Sequence, residues 1–129
     1  MKKILQSTFL FSIFILASLT IKAQNNNTMY RIAKIKVDTK QLGQYKAALQ
    51  EQMNAAIQLE PGVLSYTAVA DKKDASSITI LEVYADLQAY QSHILTPHFK
   101  KYKETVKDMV LSLELIDTEL VVRAKKDGF

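Results

Sequence analysis

The chain has two histidines, His93 and His98, set on either side of Thr96-Pro97, and Glu82, Tyr84 and Tyr66 precede them on predicted strands. Imidazole titrates near neutrality, so either histidine could take the proton of an acidic hydroxyl, or could simply be a surface or capping residue. Glu82 shares a strand face with Ile78, Ile80 and Tyr84. A carboxylate there must find a hydrogen bond or have its pKa pushed upward, and a Lys or Tyr across the sheet or a dimer interface would supply the bond. Tyr84 and Tyr66 could orient a phenolic ligand through their hydroxyls, or be core aromatics with one wet end. Two histidines without an obvious third ligand fall short of a zinc site, and no metal is expected.

Several chemistries are excluded by what is missing. The chain has no cysteine, no tryptophan and three glycines, with neither a G-x-S-x-G elbow nor a phosphate-cradling loop. No nucleotide or other cofactor is expected. The formal charge of +4 is not a nucleic-acid signature, because Lys and Arg alternate with Asp and Glu instead of forming a basic face.

These residues need elements to position them. Met29 to Val37 alternates with Ala33, Ile35 and Val37 on one face, predicting a first strand. Asp38 and Gln41 read as a capping box opening a helix. Its stripe is Leu42, Tyr45, Leu49, Met53, Ala56 and Ile57, in which Met53 reads as packing. Glu60-Pro61-Gly62 is a turn. Val63 to Asp71 and Ser77 to Ala85 are predicted as a hairpin. Asp86 caps a short helix, and Pro97 starts another that runs to about Val110 with Phe99, Tyr102, Val106 and Met109 inward. Leu111 to Ala124 is predicted as a long last strand with a bulge near Leu115 to Asp117. The order is β-α-β-β-α-β, an α+β, ferredoxin-like fold with an antiparallel sheet. Because the third strand is apolar on both faces, something must cover the side away from the helices. A second copy would do so, giving a homodimeric α+β barrel.

The first residues have the layout of a secretory signal peptide: Lys2 and Lys3, an apolar run from Phe9 to Leu19, and a small residue at Ala23. Residues 1–23 are therefore expected to be removed and 24–29 to form a flexible leader, with residues 30–129 as the one domain. The mature chain is expected in the periplasm or outside the cell, without stable insertion in a membrane. Three of seventeen basic residues would leave with the signal, so that fourteen face thirteen acidic ones, a balance of +1.

Glu60-Pro61-Gly62-Val63-Leu64, Ile80 to Asp86, Ala89-Tyr90, and His93 through Phe99 together resemble the antibiotic biosynthesis monooxygenase domain, over roughly Tyr30 to Val122. The resemblance implies a dimeric α+β barrel and a quinol- or polyketide-type monooxygenase that uses no metal or flavin. In such chemistry the protein deprotonates an electron-rich phenol, and the substrate anion itself reduces O₂. His93 matches the family's helix histidine and is the implied base, with His98 and Tyr84 in support and Glu82 orienting one of them. Tyr66, Phe99, Tyr102 and Met53 are the residues expected to contact a small apolar or aromatic substrate. The haem-degrading branch carries an Asn on the first strand and a Trp on the third, where this chain has Tyr84, so haem degradation is not implied. An isomerase, or a non-catalytic small-molecule-binding protein on the same barrel, is the alternative.

Overall fold

A computed structural model describes residues 27–128; the expected signal peptide and residues 24–26 of the expected leader lie outside them. The elements are β1 (Met29–Val37), α1 (Leu42–Leu59), β2 (Val63–Ala70), β3 (Ser77–Tyr84), α2 (Leu87–His93), α3 (Pro97–Val106) and β4 (Val110–Thr118). One four-stranded sheet runs β2-β3-β1-β4, and the three pairings are antiparallel. This is the ferredoxin-like α+β fold, with the second helix broken in two. Among the described residues no helix is long and apolar enough to cross a membrane.

Strand registry decides which side chains meet. Arg31, Ala33 and Ile35 of β1 stand opposite Glu82, Ile80 and Ile78 of β3, and opposite Asp117, Leu115 and Leu113 of β4. Since strand side chains alternate, all of these point to one face. That face holds the main core, where Ala33, Ile35, Ile78 and Ile80 bury against Tyr45 and Leu49 of α1 and Val106 of α3. The other face carries Ile32, Leu81 and Ile116 in register, and Leu81 is exposed.

Four expectations about the elements need correction. Asp38 caps a single 3-10 turn, Thr39–Gln41, ahead of α1, accepting from the Lys40 N–H. The Gln41 side-chain amide donates to the Asp38 carboxylate instead of accepting from the Asp38 N–H, which is donated to the Met109 carbonyl. On α1 the buried line is Tyr45, Leu49, Gln52 and Ala56, at steps of four, three and four. Ile57 lies one residue off that line and is exposed. α3 stops at Val106, where the Met109 N–H bonds the Val106 carbonyl and frees Val110 to pair with Val37. β4 ends at Thr118, and its irregularity lies at the opposite end from the expected bulge, between Lys36 and Val37 of its partner. The change of phase from Leu115 to Ile116 needs no bulge, since these two residues occupy the two faces.

The break between α2 and α3 is written in local chemistry. Asp86 accepts the Ala89 N–H to start α2. Thr96 does the same for Phe99, with Pro97 in the first helical position where no N–H is required. Gly62 lets the turn after α1 lie directly on α2: a Cβ at that position would sit 2.5 Å from the Ala89 Cβ. The close approach brings Glu60 beside both histidines.

Candidate active site

Between the helix-side face of the sheet and helices α1 and α3 lies a cavity of about 100 Å³. Ala33, Ile35 and Ile80 form its floor, Leu49 and Met53 one wall, and Phe99, Tyr102 and Val106 another, with Leu113 and Leu115 along the β4 side. Into this apolar space come a few polar groups: Arg31, Glu82, Tyr66, Tyr84, Tyr90, Gln52 and Lys103. A mostly apolar cavity with a few convergent polar groups is the usual form of a small-molecule site.

Glu82 faces Arg31 across β1 and β3. Burial pushes the Glu82 carboxyl upward, against the opposing pull of the Tyr84 hydroxyl and of the Arg31 charge. The Tyr84 hydroxyl donates to Glu82 Oε2 at 2.8 Å. Arg31 is fastened from outside: its Nε and Nη2 donate to Asp117 Oδ1 at 2.9 and 2.7 Å, and its guanidinium stacks 4.1 Å from the Tyr90 ring centre. Burial would lower the Arg31 pKa, but Asp117 and Tyr90 raise it on balance, so a cation is held beside the cavity.

Behind Glu82 runs a continuous row of hydrogen bonds. Tyr84 and Tyr66 place their hydroxyl oxygens 2.7 Å apart, and the Tyr66 hydroxyl lies 2.8 Å from His93 Nε2. His93 Nδ1 is 2.8 Å from Glu60 Oε1, and His98 Nε2 is 2.5 Å from the same oxygen. Gln52 Nε2 lies 3.0 Å from His93 Nε2. Burial, reinforced by the Glu82 charge, holds both the Tyr66 and the Tyr84 hydroxyls far above the ordinary phenol range, so they act as neutral donors and acceptors. Burial also lowers the His93 pKa, His98 adds to that effect, and the Glu60 bond and charge oppose it.

The eight residues singled out from the sequence therefore divide. Glu82, Tyr84, Tyr66, Phe99, Tyr102 and Met53 line the cavity. His93 is 1 % exposed and sits behind Tyr66, reaching the cavity only through that hydroxyl. His98 lines a separate, smaller recess with Glu51, Lys101 and Thr105. Arg31, Gln52 and Glu60 were not singled out. Arg31 has the same strand parity as Ala33, Ile35 and Val37, and Gln52 interrupts the apolar line of α1. A polar residue in phase with an apolar stripe was the available signal in both cases.

The fold also supplies the third metal-capable group that spacing alone could not. The Glu60 oxygen and the two histidine nitrogens all lie within 4.8 Å of one another. However, the carboxylate oxygen stands 2.8 and 2.5 Å from those nitrogens. Around a tetrahedral zinc with bonds of 2.0–2.1 Å, neighbouring ligand atoms are about 3.3 Å apart. As placed, the three groups make two hydrogen bonds to one carboxylate oxygen, closer together than zinc ligands stand.

The family pattern described as Antibiotic biosynthesis monooxygenase matches residues 28–105. No curated protein matches the chain. Among solved structures, a candidate antibiotic biosynthesis monooxygenase from Bacteroides thetaiotaomicron VPI-5482 is similar at 49% identity and a TM-score of 0.76, over 79% of this chain and 97% of that one. A candidate monooxygenase from Lactobacillus acidophilus NCFM is similar at 30% identity and a TM-score of 0.69, over 73% of this chain and 44% of that longer one. A further relative from Nitrosomonas europaea, at 19% identity and a TM-score of 0.69, shares the fold.

Proposed function

The chain belongs to the antibiotic biosynthesis monooxygenase family, and on that premise we propose that it oxygenates a small phenol or quinol without metal or flavin. Glu82 is the base at the cavity and Arg31 the cation that stabilises the anion. The observation that carries this reading is a carboxylate of raised pKa facing an apolar cavity, with a guanidinium opposite it in register. Raising a carboxylate's pKa makes it a stronger base toward a phenolic proton. The flat ring lies among Met53, Phe99 and Tyr102, and its anion reduces O₂ directly. The overall balance is phenol plus O₂ giving quinone plus water. One oxygen atom becomes the new carbonyl, and the other leaves as water with the hydrogens of the phenolic O–H and the ring C–H. The substrate supplies all four electrons.

In this reading His93 moves from the base implied by resemblance to a supporting place behind Tyr66. The protein works as a homodimer closed through the sheet face that carries Ile32, Leu81 and Ile116. Residues 1–23 direct it to the periplasm or the outside of the cell.

The test is oxygen uptake by chelator-treated protein against a panel of quinols and polyphenols. Uptake with at least one compound, lost in Glu82→Gln, is the expected result. Absence of uptake throughout the panel would overturn the oxygenase reading and leave isomerisation or simple ligand binding on the same cavity.

A further inference from the structure

Resting on that reading, we propose that the Tyr84 and Tyr66 hydroxyls join Glu82 to His93 as one proton path, and that His93, held by Glu60, stores the substrate's proton while the cavity contains the anion. Neither His93 nor Glu60 lines the cavity, so both act through other residues.

The argument is a count of protons. Along the row each hydroxyl has one proton and two neighbours, at 2.8 and 2.7 Å for Tyr84 and at 2.7 and 2.8 Å for Tyr66, which also bonds Gln52. Before the transfer Glu82 is ionised and His93 neutral, so the row is one proton short and the Gln52 amide can donate to the Nε2 lone pair. Once the row holds the substrate's proton, each hydroxyl donates one way and accepts from the other, which allows two orderings. With Glu82 ionised, Tyr84 donates to Glu82, Tyr66 donates to Tyr84, and the His93 Nε2–H donates to Tyr66. His93 Nδ1–H donates to Glu60, which makes the ring an imidazolium. With Glu82 protonated, every bond reverses: Glu82 donates to Tyr84, Tyr84 to Tyr66, and Tyr66 to the free lone pair of Nε2. His93 is then neutral and keeps its Nδ1–H on Glu60.

The two orderings hold the same number of protons. Moving from the second to the first breaks one O–H bond at each of Glu82, Tyr84 and Tyr66, and forms one bond at each of Tyr84, Tyr66 and His93 Nε2. A proton taken from a substrate hydroxyl by Glu82 thereby arrives on His93, against the Glu60 carboxylate. The same path run backwards returns it when the oxygen adduct must be protonated to expel water. Gln52 can serve both orderings, since rotating its amide presents either nitrogen or oxygen to Nε2. This path gives a function to a fully buried histidine that no substrate can touch.

The groups facing His93 are Glu60 and Gln52 from α1 and its turn, Tyr66 from β2, Tyr84 from β3 and His98 from α3. Those facing Glu82 are Tyr84, Tyr66 and Arg31, with Tyr45 of α1 and Tyr102 of α3 also feeling its charge. Tyr84 is therefore the informative position: it belongs to the path but makes no hydrogen bond to His93.

The experiment uses the intact chain with 4-nitrocatechol, whose ionisation is visible by absorbance, and reads the His93 ring nitrogens by long-range ¹H–¹⁵N NMR. In the wild type the bound probe is expected as its anion, with both His93 nitrogens shifted to imidazolium values. In Tyr84→Phe the probe should still ionise, because Glu82 remains, while His93 stays neutral. In Glu82→Gln the probe should bind un-ionised. A neutral His93 beside the bound anion in the wild type, or an imidazolium in Tyr84→Phe, overturns the path. If 4-nitrocatechol does not bind, the phenol reading of the cavity fails separately. The ligand-free titration of His93 then decides: a midpoint moved by Tyr84→Phe supports the path, and an unmoved one overturns it.

Discussion

Arg31 and Glu82 stand directly opposite each other on β1 and β3, yet the guanidinium is bonded to Asp117 on the far strand and the carboxylate to the Tyr84 hydroxyl. Each charge is thus hydrogen-bonded to a third residue, and both line the cavity. A direct ion pair would have lowered the Glu82 pKa and spent both charges on the fold. With neither spent on such a pair, both remain available for the base and cation roles proposed above.

Removing the base should separate chemistry from binding. Glu82→Gln keeps the shape and a hydrogen-bond acceptor for Tyr84, so oxygen uptake should fall about 10²–10⁴-fold, the usual contribution of general base catalysis. Binding of 4-nitrocatechol should weaken far less. Undiminished uptake in this variant would remove Glu82 from the mechanism.

Arg31→Met tests the cation. Loss of one preorganised electrostatic group typically costs about 10²–10³-fold in turnover. The bound probe should also ionise only at higher pH than in the wild type. An unchanged ionisation midpoint would mean that Arg31 serves only its contacts with Asp117 and Tyr90.

Acid stability should report on His93. Its pKa is lowered in the folded state, chiefly by burial, so the unfolded chain takes up a proton near the reference value of 6.5 that the folded chain resists. The stability this residue contributes is complete above that pH and is lost as acid is added through 6.5 toward the lower folded-state value. One proton accounts for at most about 1.4 kcal/mol per pH unit. Glu82, whose pKa is raised by burial, acts in the opposite sense, because acid relieves the cost of its buried charge. Denaturant unfolding between pH 8 and 5 should therefore show a slope that flattens in His93→Gln, and an identical slope in both proteins would contradict the assignment.

Gly62→Ala should disturb the site from a distance. The added methyl would meet Ala89 at 2.5 Å, and either α2 or the turn must move. Overpacking of this kind costs about 1–3 kcal/mol. The variant should melt earlier, and the NMR signals of His93 should shift as Glu60 is displaced. Wild-type stability would show that the turn has slack.

Leu81→Glu places a charge at the centre of the uncovered sheet face, where Leu81 is exposed beside Ile32 of β1. Light scattering should find a folded monomer in place of a dimer. A dimer of unchanged mass would exclude this face as the interface.

The fold was largely legible because its signals are local: the alternation of β1, the Asp86 and Thr96 caps, and Pro97 each act within a few residues. What local pattern could not supply was the third dimension of the site. His93 and Glu60 are 33 residues apart in sequence and share a hydrogen bond only because the Gly62 turn lies on α2. Likewise, Arg31 becomes a cavity residue only through its registry with Glu82 and Asp117, which no single strand encodes. The sequence pointed to the helix break as the place of chemistry, whereas the cavity opens on the sheet. The two regions are joined by a row of hydroxyls that no spacing rule describes.

The cavity's walls differ in how much they matter to folding. Its floor, Ala33, Ile35 and Ile80, belongs to the buried core, so changing those residues threatens the whole molecule. Leu113 and Leu115 lie on an edge strand and are about half exposed, contributing to the cavity's shape but little to the core. Replacing them with smaller or larger side chains alters which molecules fit at slight risk to the scaffold. Substitutions along β4 therefore reshape the cavity while Glu82, Arg31 and His93 keep their places.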